Sequence, residues 1–489
     1  MSDTIVFGAA GFIGRSLVLE LLREGRAVVA AVRPGSRDRL TAWLATQNAD
    51  TSGLTIAHAD ITRPGLGLEQ EFGDIRDVYN TAALMKFGLD ADEARRVNVT
   101  AALAVARWAS RRPQLRRLVH ITGYRAAVGN GSENDYHRGA YEASKLEADA
   151  ALRELADELG IALTIANPAS VLGPGQYFGL SDIADNLWRG RLPALPGRRD
   201  TFVPVVEVDY VARFLARLPE LPETAGRAYT ILDSATPDLP DLVRLLADHV
   251  RVPAPKFSIP VPVLRALPSA VTGVDPESLA FIAGDRYDTS DADAVARSIG
   301  LHHRPVGDVL RDWVDGVVAT RHGAVPARTG GFRSGLWRTG AAVDPEYVLL
   351  HGLPFDSDSW AEVSAALGAP VLAGSPLTAP ALKRLPTPKL AELLGVPDGP
   401  AVASAAANLH RPGVARRTVA ALAAASTSHW RTVRAEQLAR VRVPIDIITG
   451  SGDPLTVATA HPVTTVDGAG HNPHVSHPSR IADLLAARP

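Results

Sequence analysis

Three glycines spaced Gly-x-x-Gly-x-x-Gly, at Gly8, Gly11 and Gly14, join a β-branched stretch (Thr4 to Phe7) to a run whose apolar residues recur at Leu17, Val18, Leu21 and Leu22. A strand, a tight turn and an amphipathic helix in immediate succession predict the entrance of a βαβ unit. Gly8 suits the tight turn, Gly11 lets the backbone approach a pyrophosphate, and Gly14 lets the helix pack close to the strand. The free N–H groups of the helix then favour an anion. Phe12 and Ile13 lie inside this turn and belong to the same candidate cofactor cradle. The spacing is not the commoner Gly-x-Gly-x-x-Gly, and on these residues alone a plain strand-to-helix turn is the alternative.

The chain of 489 residues is 46% hydrophobic and 21% charged, a balance that fits a folded protein of two or three domains. A formal net charge of -2 and the lack of a Lys/Arg block interleaved with aromatics argue against nucleic acid as a partner. With no cysteine there are no disulfides, thiolate metal sites or cysteine nucleophiles, and no metal site is read elsewhere. No stretch approaches the length of a membrane span, so a cytoplasmic protein acting on a small molecule is expected, with no membrane partner.

Ala27 to Arg33 reads as a second parallel strand, small and apolar throughout. At its end, where an acidic residue would select the ribose 2′-OH of NAD, stands Arg33, with Arg15 and Arg37 near it. Three cations there favour the extra phosphate of NADP over NAD; solvated surface arginines are the alternative. A third strand, Leu54 to His58, leads to Asp60 and Ile61. A fourth, Asp77 to Asn80, leads into the small residues Thr81, Ala82 and Ala83, which permit close approach to a ligand. Asn98 follows on a helix, Thr122 closes the strand Leu118 to Ile121, and Tyr141 and Lys145 lie four apart on one helix face.

This order of glycine turn, Asp60, Asn98, Thr122 and Tyr141-x-x-x-Lys145 resembles the short-chain dehydrogenase/reductase superfamily, extended type, over residues 1 to 320. The resemblance implies a Rossmann-type doubly wound parallel sheet with a small substrate-binding subdomain. It also implies cofactor contacts from Gly8, Gly11, Phe12, Ile13, Gly14, Arg33, Asp60, Ile61, Ala82, Lys145 and Pro168. A carbonyl receiving hydride develops negative charge on oxygen and needs a proton donor and a hydrogen-bond donor beside it. Tyr141 is the candidate acid, and a cationic Lys145 is expected to lower its pKa. Thr122 stands where Ser is more usual and would polarise the carbonyl, while Asn98 matches the family residue that supports a water-linked proton path. Each has a plain structural alternative, Asn98 most of all, because Asn often bonds its own neighbourhood.

Asn167-Pro168 and the following Val171 to Gly175 are similar to the segment of reductases resembling dihydroflavonol reductases and 3β-hydroxysteroid dehydrogenases, although Asn167 replaces their usual Arg. Gly123-Tyr124 after Thr122 lacks the acidic pair of sugar dehydratases. Val252 to Val274, rich in proline and apolar residues, reads either as a lid over an apolar substrate or as an ordinary packed satellite.

Residues 322 to 345 read as a linker. Beyond them, Tyr347 to Pro354 resembles the first strand and oxyanion loop of α/β-hydrolases. Pro444 to Pro454 is similar to the strand carrying that family's acid, and Val466 to His474 to its histidine loop. No Gly-x-Ser-x-Gly elbow stands between them, and Ser404 falls inside a predicted helix, so ordinary ester hydrolysis is not expected. Asp453 and His471 form a possible second site, as a base without a nucleophile; a loop histidine bonded to backbone is the alternative.

The expected organisation is thus an α/β chain with a reductase domain at 1–321, a linker at 322–345 and a truncated hydrolase-like domain at 346–489. The expected function is NADP-dependent reduction of a carbonyl, or oxidation of an alcohol, in a small apolar metabolite. Epimerisation through a transient ketone, a bifunctional enzyme using Asp453 and His471, and a cofactor sensor without turnover are the other readings. A homodimer is one assembly open to such a chain.

Overall fold

The computed structural model describes residues 3–487 apart from 87, 126–135, 137–138, 268–276, 327–329, 334–335, 341–346, 351–356, 361, 364–370, 375–386, 395, 410, 412–432, 434–435, 438, 441–444 and 454–460. The chain divides into two compact units. The first comprises Met1–Leu180, Ala194–Leu242 and Phe257–Trp313; the second comprises Ser181–Pro193, Val243–Lys256 and Val314–Pro489.

The first unit is built on seven parallel strands: β1 (Thr4–Phe7), β2 (Val28–Val32), β3 (Leu54–His58), β4 (Asp77–Asn80), β5 (Arg117–Ile121), β6 (Leu163–Pro168) and β7 (Ala228–Ile231). Their order is β7-β6-β5-β4-β1-β2-β3, so the winding reverses between β1 and β4. In such a sheet the crevice at the carboxyl ends of the strands beside that reversal takes the ligand. This is the doubly wound sheet expected from the sequence.

Side chains alternate across β1 because the strand period is two. Val6 joins a buried cluster with Leu17, Val18 and Leu21 of α1 (Phe12–Arg23) on one face. Ile5 and Phe7 join the opposite cluster with Val105 and Ala106 of α2 (Ala101–Ala109) and Leu152 of α3 (Ala140–Leu159). Phe214 and Leu215 of α4 (Val208–Arg217) complete the α1 face. Both faces being covered accounts for the unbroken apolar β2, whose five residues are all buried.

Short pairings add the smaller part of this unit. Ser170–Leu172 runs parallel to Val205–Glu207, and Leu195–Pro196 to Ser258–Ile259. Helix Val261–Ala266 buries none of its residues, and Phe257, Val263 and Leu267 are exposed. Val252, at the start of the segment read as lid or satellite, is buried, and residues 268–274 at its end lie outside the described residues.

In the second unit, the stretch read as a linker contains two antiparallel strands, Gly330–Arg333 and Leu336–Gly340, with the rings of Phe332 and Trp337 5.0 Å apart. They are four- and five-residue strands whose few apolar side chains are diluted by Gly and Arg, which hides the alternation. Tyr347–Leu350 is consequently not the first strand of its sheet. The order is Gly330–Arg333, Leu336–Gly340, Val371–Gly374, Tyr347–Leu350, the last two parallel. A separate parallel pair joins Ile447–Gly450 to Val463–Val466. The expected oxyanion loop, 351–354, lies outside the described residues.

At Gly14 an added Cβ would stand 2.2 Å from the carbonyl oxygen of Gly8 and 2.7 Å from Thr81 Oγ1. Gly14→Ala is expected to destabilise the first unit by about 1–3 kcal/mol through this overpacking. Chemical denaturation measures it, and an unchanged midpoint would contradict the packing described.

Candidate active site

The glycine turn sits at the carboxyl end of β1. Gly8 has φ +77°, and a Cβ there would lie 2.7 Å from the backbone nitrogen of Ala82, in the loop after β4. The Gly11 N–H closes the turn on the Gly8 carbonyl at 2.8 Å, and Thr81 Oγ1 donates to the Phe7 carbonyl at 2.8 Å. Backbone thus meets backbone at the point where the sheet reverses, and the start of α1, including Phe12 and Ile13, is brought to the same place. Gly173, directly after the short strand Ser170–Leu172, is crowded by side chains instead: a Cβ would lie 2.5 Å from Val208 Cγ1 and 3.2 Å from the Phe12 ring.

The other residues expected to touch a dinucleotide line the same sheet edge. Arg33 follows β2 directly and is exposed, as is Arg37. Asp60, two residues past β3 and next to Ile61, accepts from Thr62 N at 3.0 Å and Thr62 Oγ1 at 2.6 Å. These bonds hold its carboxyl below the usual range, helped by Arg63 and Arg33. Ala82 lies just past β4, its N–H bonded to Asn80 Oδ1 at 3.2 Å, and Pro168 ends β6.

Arg15 has another task than the one expected. Its Nη2 donates to the Pro174 carbonyl at 2.5 Å and its guanidinium lies 4.7 Å from the Trp43 ring centre. Burial lowers its pKa, and it is committed to holding the segment after β6. Arg39, not singled out in the sequence, reaches the turn instead, donating to the Ala10 carbonyl at 3.4 Å.

Helix α3 carries Tyr141 in its first turn and Lys145 one turn later. Lys145 Nζ donates to the Ile121 carbonyl at 3.1 Å, and burial lowers its pKa to about 8. Burial, with Glu142 and Glu277, raises the Tyr141 phenol to about 12. The expectation that Lys145 draws the phenol down is therefore reversed, because both groups lose water and each is pushed toward its neutral form.

Behind them lies His120, which the sequence reading passed over. Asn80 Oδ1 accepts from Ala82 N, so Asn80 Nδ2 donates to His120 Nδ1 at 3.2 Å, which leaves the ring proton on Nε2. That nitrogen is buried with no hydrogen-bond partner among the described residues, and burial together with Lys145 pushes the imidazole pKa down to about 3. His120 is a neutral residue packed at the back of the site.

Thr122 is buried immediately after β5, its hydroxyl donating to Asn167 Oδ1. Asn167, the departure from the family's Arg, thus holds Thr122 in place. Asn98 lies in a π-helical turn, Arg95–Thr100, an irregularity often found near functional sites. Its Oδ1 accepts from Leu84 N at 2.8 Å, while Nδ2 donates to the Leu84 carbonyl at 3.2 Å and to Ser144 Oγ at 2.9 Å. Ser144 in turn donates to the Tyr141 carbonyl at 2.8 Å. Asn98 therefore ties the loop after β4 to the helix bearing Tyr141 and Lys145.

In the second unit, His471 Nδ1 and Asp453 Oδ2 are 2.9 Å apart, and Thr449 Oγ1 donates to the same oxygen at 3.2 Å. The Asp453 side chain is buried and that of His471 is half exposed. Ser404 lies in helix Pro400–Leu409, buried, its hydroxyl accepting from Arg321. It is not on a strained turn facing the histidine, in agreement with the sequence.

Residues 6–215 match the family model described as male sterility protein, an NAD-binding domain. The NRPS-like oxidoreductase fscA of Fusarium equiseti is 27% identical over 205 residues, 38% of this chain and 20% of the relative, so only a small part of that protein is spanned. Dihydroflavonol 4-reductase of Hordeum vulgare is 26% identical over 281 residues, 52% of this chain and 76% of the relative. Among solved structures, the terminal R domain from the myxalamid PKS-NRPS biosynthetic pathway has a TM-score of 0.54 at 19% identity, covering 67% of this chain and 92% of that domain. Gox2253 has a TM-score of 0.52 at 21% identity, covering 67% of this chain and all of that one. These two likenesses are of fold. The family match covers residues 6–215, less than half of the chain, and falls on the part that carries the doubly wound sheet.

Proposed function

We propose that the first unit reduces a carbonyl group of a small apolar metabolite, or oxidises the corresponding alcohol, with NADP. The observation that carries this reading is a half-buried phenol one helical turn from a buried lysine, whose Nζ is bonded to the Ile121 carbonyl at the carboxyl end of β5 in a dinucleotide-type sheet. A pyridine dinucleotide supplies hydride when bound. Tyr141 would then deliver its proton to the forming alkoxide, the Lys145 ammonium would balance the phenolate left behind, and a proton from solvent would restore the phenol. Thr122 orients the carbonyl, which competes with Asn167 for the hydroxyl hydrogen. The oxidoreductase and reductase names of the two curated relatives support the reductive direction.

NADP is favoured by Arg33, exposed at the end of β2 where an acidic side chain would otherwise meet the ribose, with Arg39 against the turn. The expected result of Arg33→Ala is a roughly tenfold weaker grip on NADPH with little change for NADH, corresponding to about 1.4 kcal/mol for one charge-assisted contact. Fluorescence titration with both cofactors measures this, and equal losses for the two would remove the preference.

The reductase reading is tested by following nicotinamide absorbance with NADPH and a panel of ketones, aldehydes and acyl thioesters. Tyr141→Phe is expected to lower kcat by about 100-fold or more, the contribution of a positioned general acid, while NADPH still binds. Turnover at the parent rate would sink the assignment.

The second unit supports a further reading through the bonded pair Asp453 and His471. A carboxylate that orients an accessible imidazole can serve proton abstraction without a serine nucleophile. His471→Ala is expected to alter the product distribution while leaving NADPH oxidation intact. An unchanged product spectrum by mass spectrometry assigns the pair to the fold alone.

A further inference from the structure

Glu277 is a buried carboxylate that meets the helix of Tyr141 from a distant part of the first unit. It is 6% exposed, and its two oxygens are spent on two different segments. Oε1 accepts from the Tyr141 N–H at 2.9 Å, and Oε2 accepts from the Gly88 N–H at 2.8 Å, in the loop after β4.

The first N–H groups of a helix have no partner within it, and here the N-cap residue, Gly139, has no side chain to offer. Gly139 also makes the carboxylate's approach feasible. A Cβ at that position would stand 2.7 Å from Glu277 Oε1 and 2.8 Å from its Cγ. Directly after Glu277, the turn Ser278–Phe281 brings the Phe281 ring to 6.4 Å from that of Tyr141. One side chain thus joins the loop after β4, the first turn of α3 and an aromatic wall beside the phenol.

We propose that Glu277 is a positioning residue for Tyr141, fixing the first turn of its helix against the loop after β4 and placing a negative charge near the phenol. The proposal rests on the reading of Tyr141 as proton donor. The groups that act on the phenol are Glu142 on its own helix, paired with Arg125, Glu277 from the opposite segment, and the Tyr124 phenol. Glu142 and Glu277 both hold the phenol in its protonated form. Loss of the Glu277 charge must move the phenol toward the phenolate, whereas a residue that only tethers segments has no such signature.

The test places 3-fluorotyrosine at position 141 of the full chain, which brings the phenol into an accessible pH range, and follows its 19F resonance against pH. Glu277→Gln is expected to lower the titration midpoint by roughly 0.5 pH unit or more, as removal of a nearby like charge does. The same substitution in the unlabelled chain should lower kcat about tenfold at nearly unchanged KM for NADPH, since small misplacements of a reacting group are costly. An unmoved midpoint overturns the proposal. If Glu277→Gln does not fold, Glu277→Asp keeps the charge on an arm too short to reach both N–H groups, and an unaltered kcat there overturns it equally. Lack of turnover in the parent would count against the reductase reading, and the 19F titration would still judge Glu277.

Discussion

The contact between the Gly8 turn and the loop after β4 is what the rest of the first unit depends on. A Cβ at Gly8 would fall 2.7 Å from the Ala82 nitrogen, and one at Gly14 would fall 2.2 Å from the Gly8 oxygen. Only bare backbone fits between β1 and β4 at this point. The consequence is a crevice at the reversal of the sheet, edged by the first turn of α1 and by the ends of β2, β3 and β4. Every candidate cofactor contact follows from which residue happens to end each strand.

The electrostatics of the neighbouring reactive groups follow from burial more than from pairing. Tyr141 and Lys145 both lose their solvent, so the phenol holds its proton more firmly and the lysine holds its less firmly. A bare argument from helical spacing has the opposite sign for the phenol, because it counts the ammonium charge and leaves out the desolvation of both partners. His120 is buried in the same region, and its imidazole is pushed toward the neutral form by burial and by Lys145. A polar group buried without a partner is destabilising, and such groups persist chiefly where function or packing requires them.

The second unit illustrates how side-chain pattern and chemistry separate. Its Asp453–His471 pair is made between the turn after one short strand and the loop after its parallel neighbour. That arrangement survives although Ser404 is sequestered in a helix and bonded to Arg321. A bonded acid and histidine do not by themselves fix a use, since a fold does not carry its function with it.

From the sequence alone, the glycine spacing, the small apolar β2 and the i, i+4 Tyr–Lys pair determined the doubly wound sheet and the chemical types at its edge, because these are local constraints of backbone clearance and periodicity. The paired strands within 330–340 escaped notice because Gly and Arg dilute a short alternation. What only the tertiary structure decided was who meets whom across long intervals of chain: Arg15 with Pro174, Thr122 with Asn167, Asn98 with Leu84, and Glu277 with the backbone of Tyr141. Those partners are separated by anything from 14 to 159 positions. No local period encodes such contacts, and both the desolvation of a side chain and the partner left to it are properties of the assembled core.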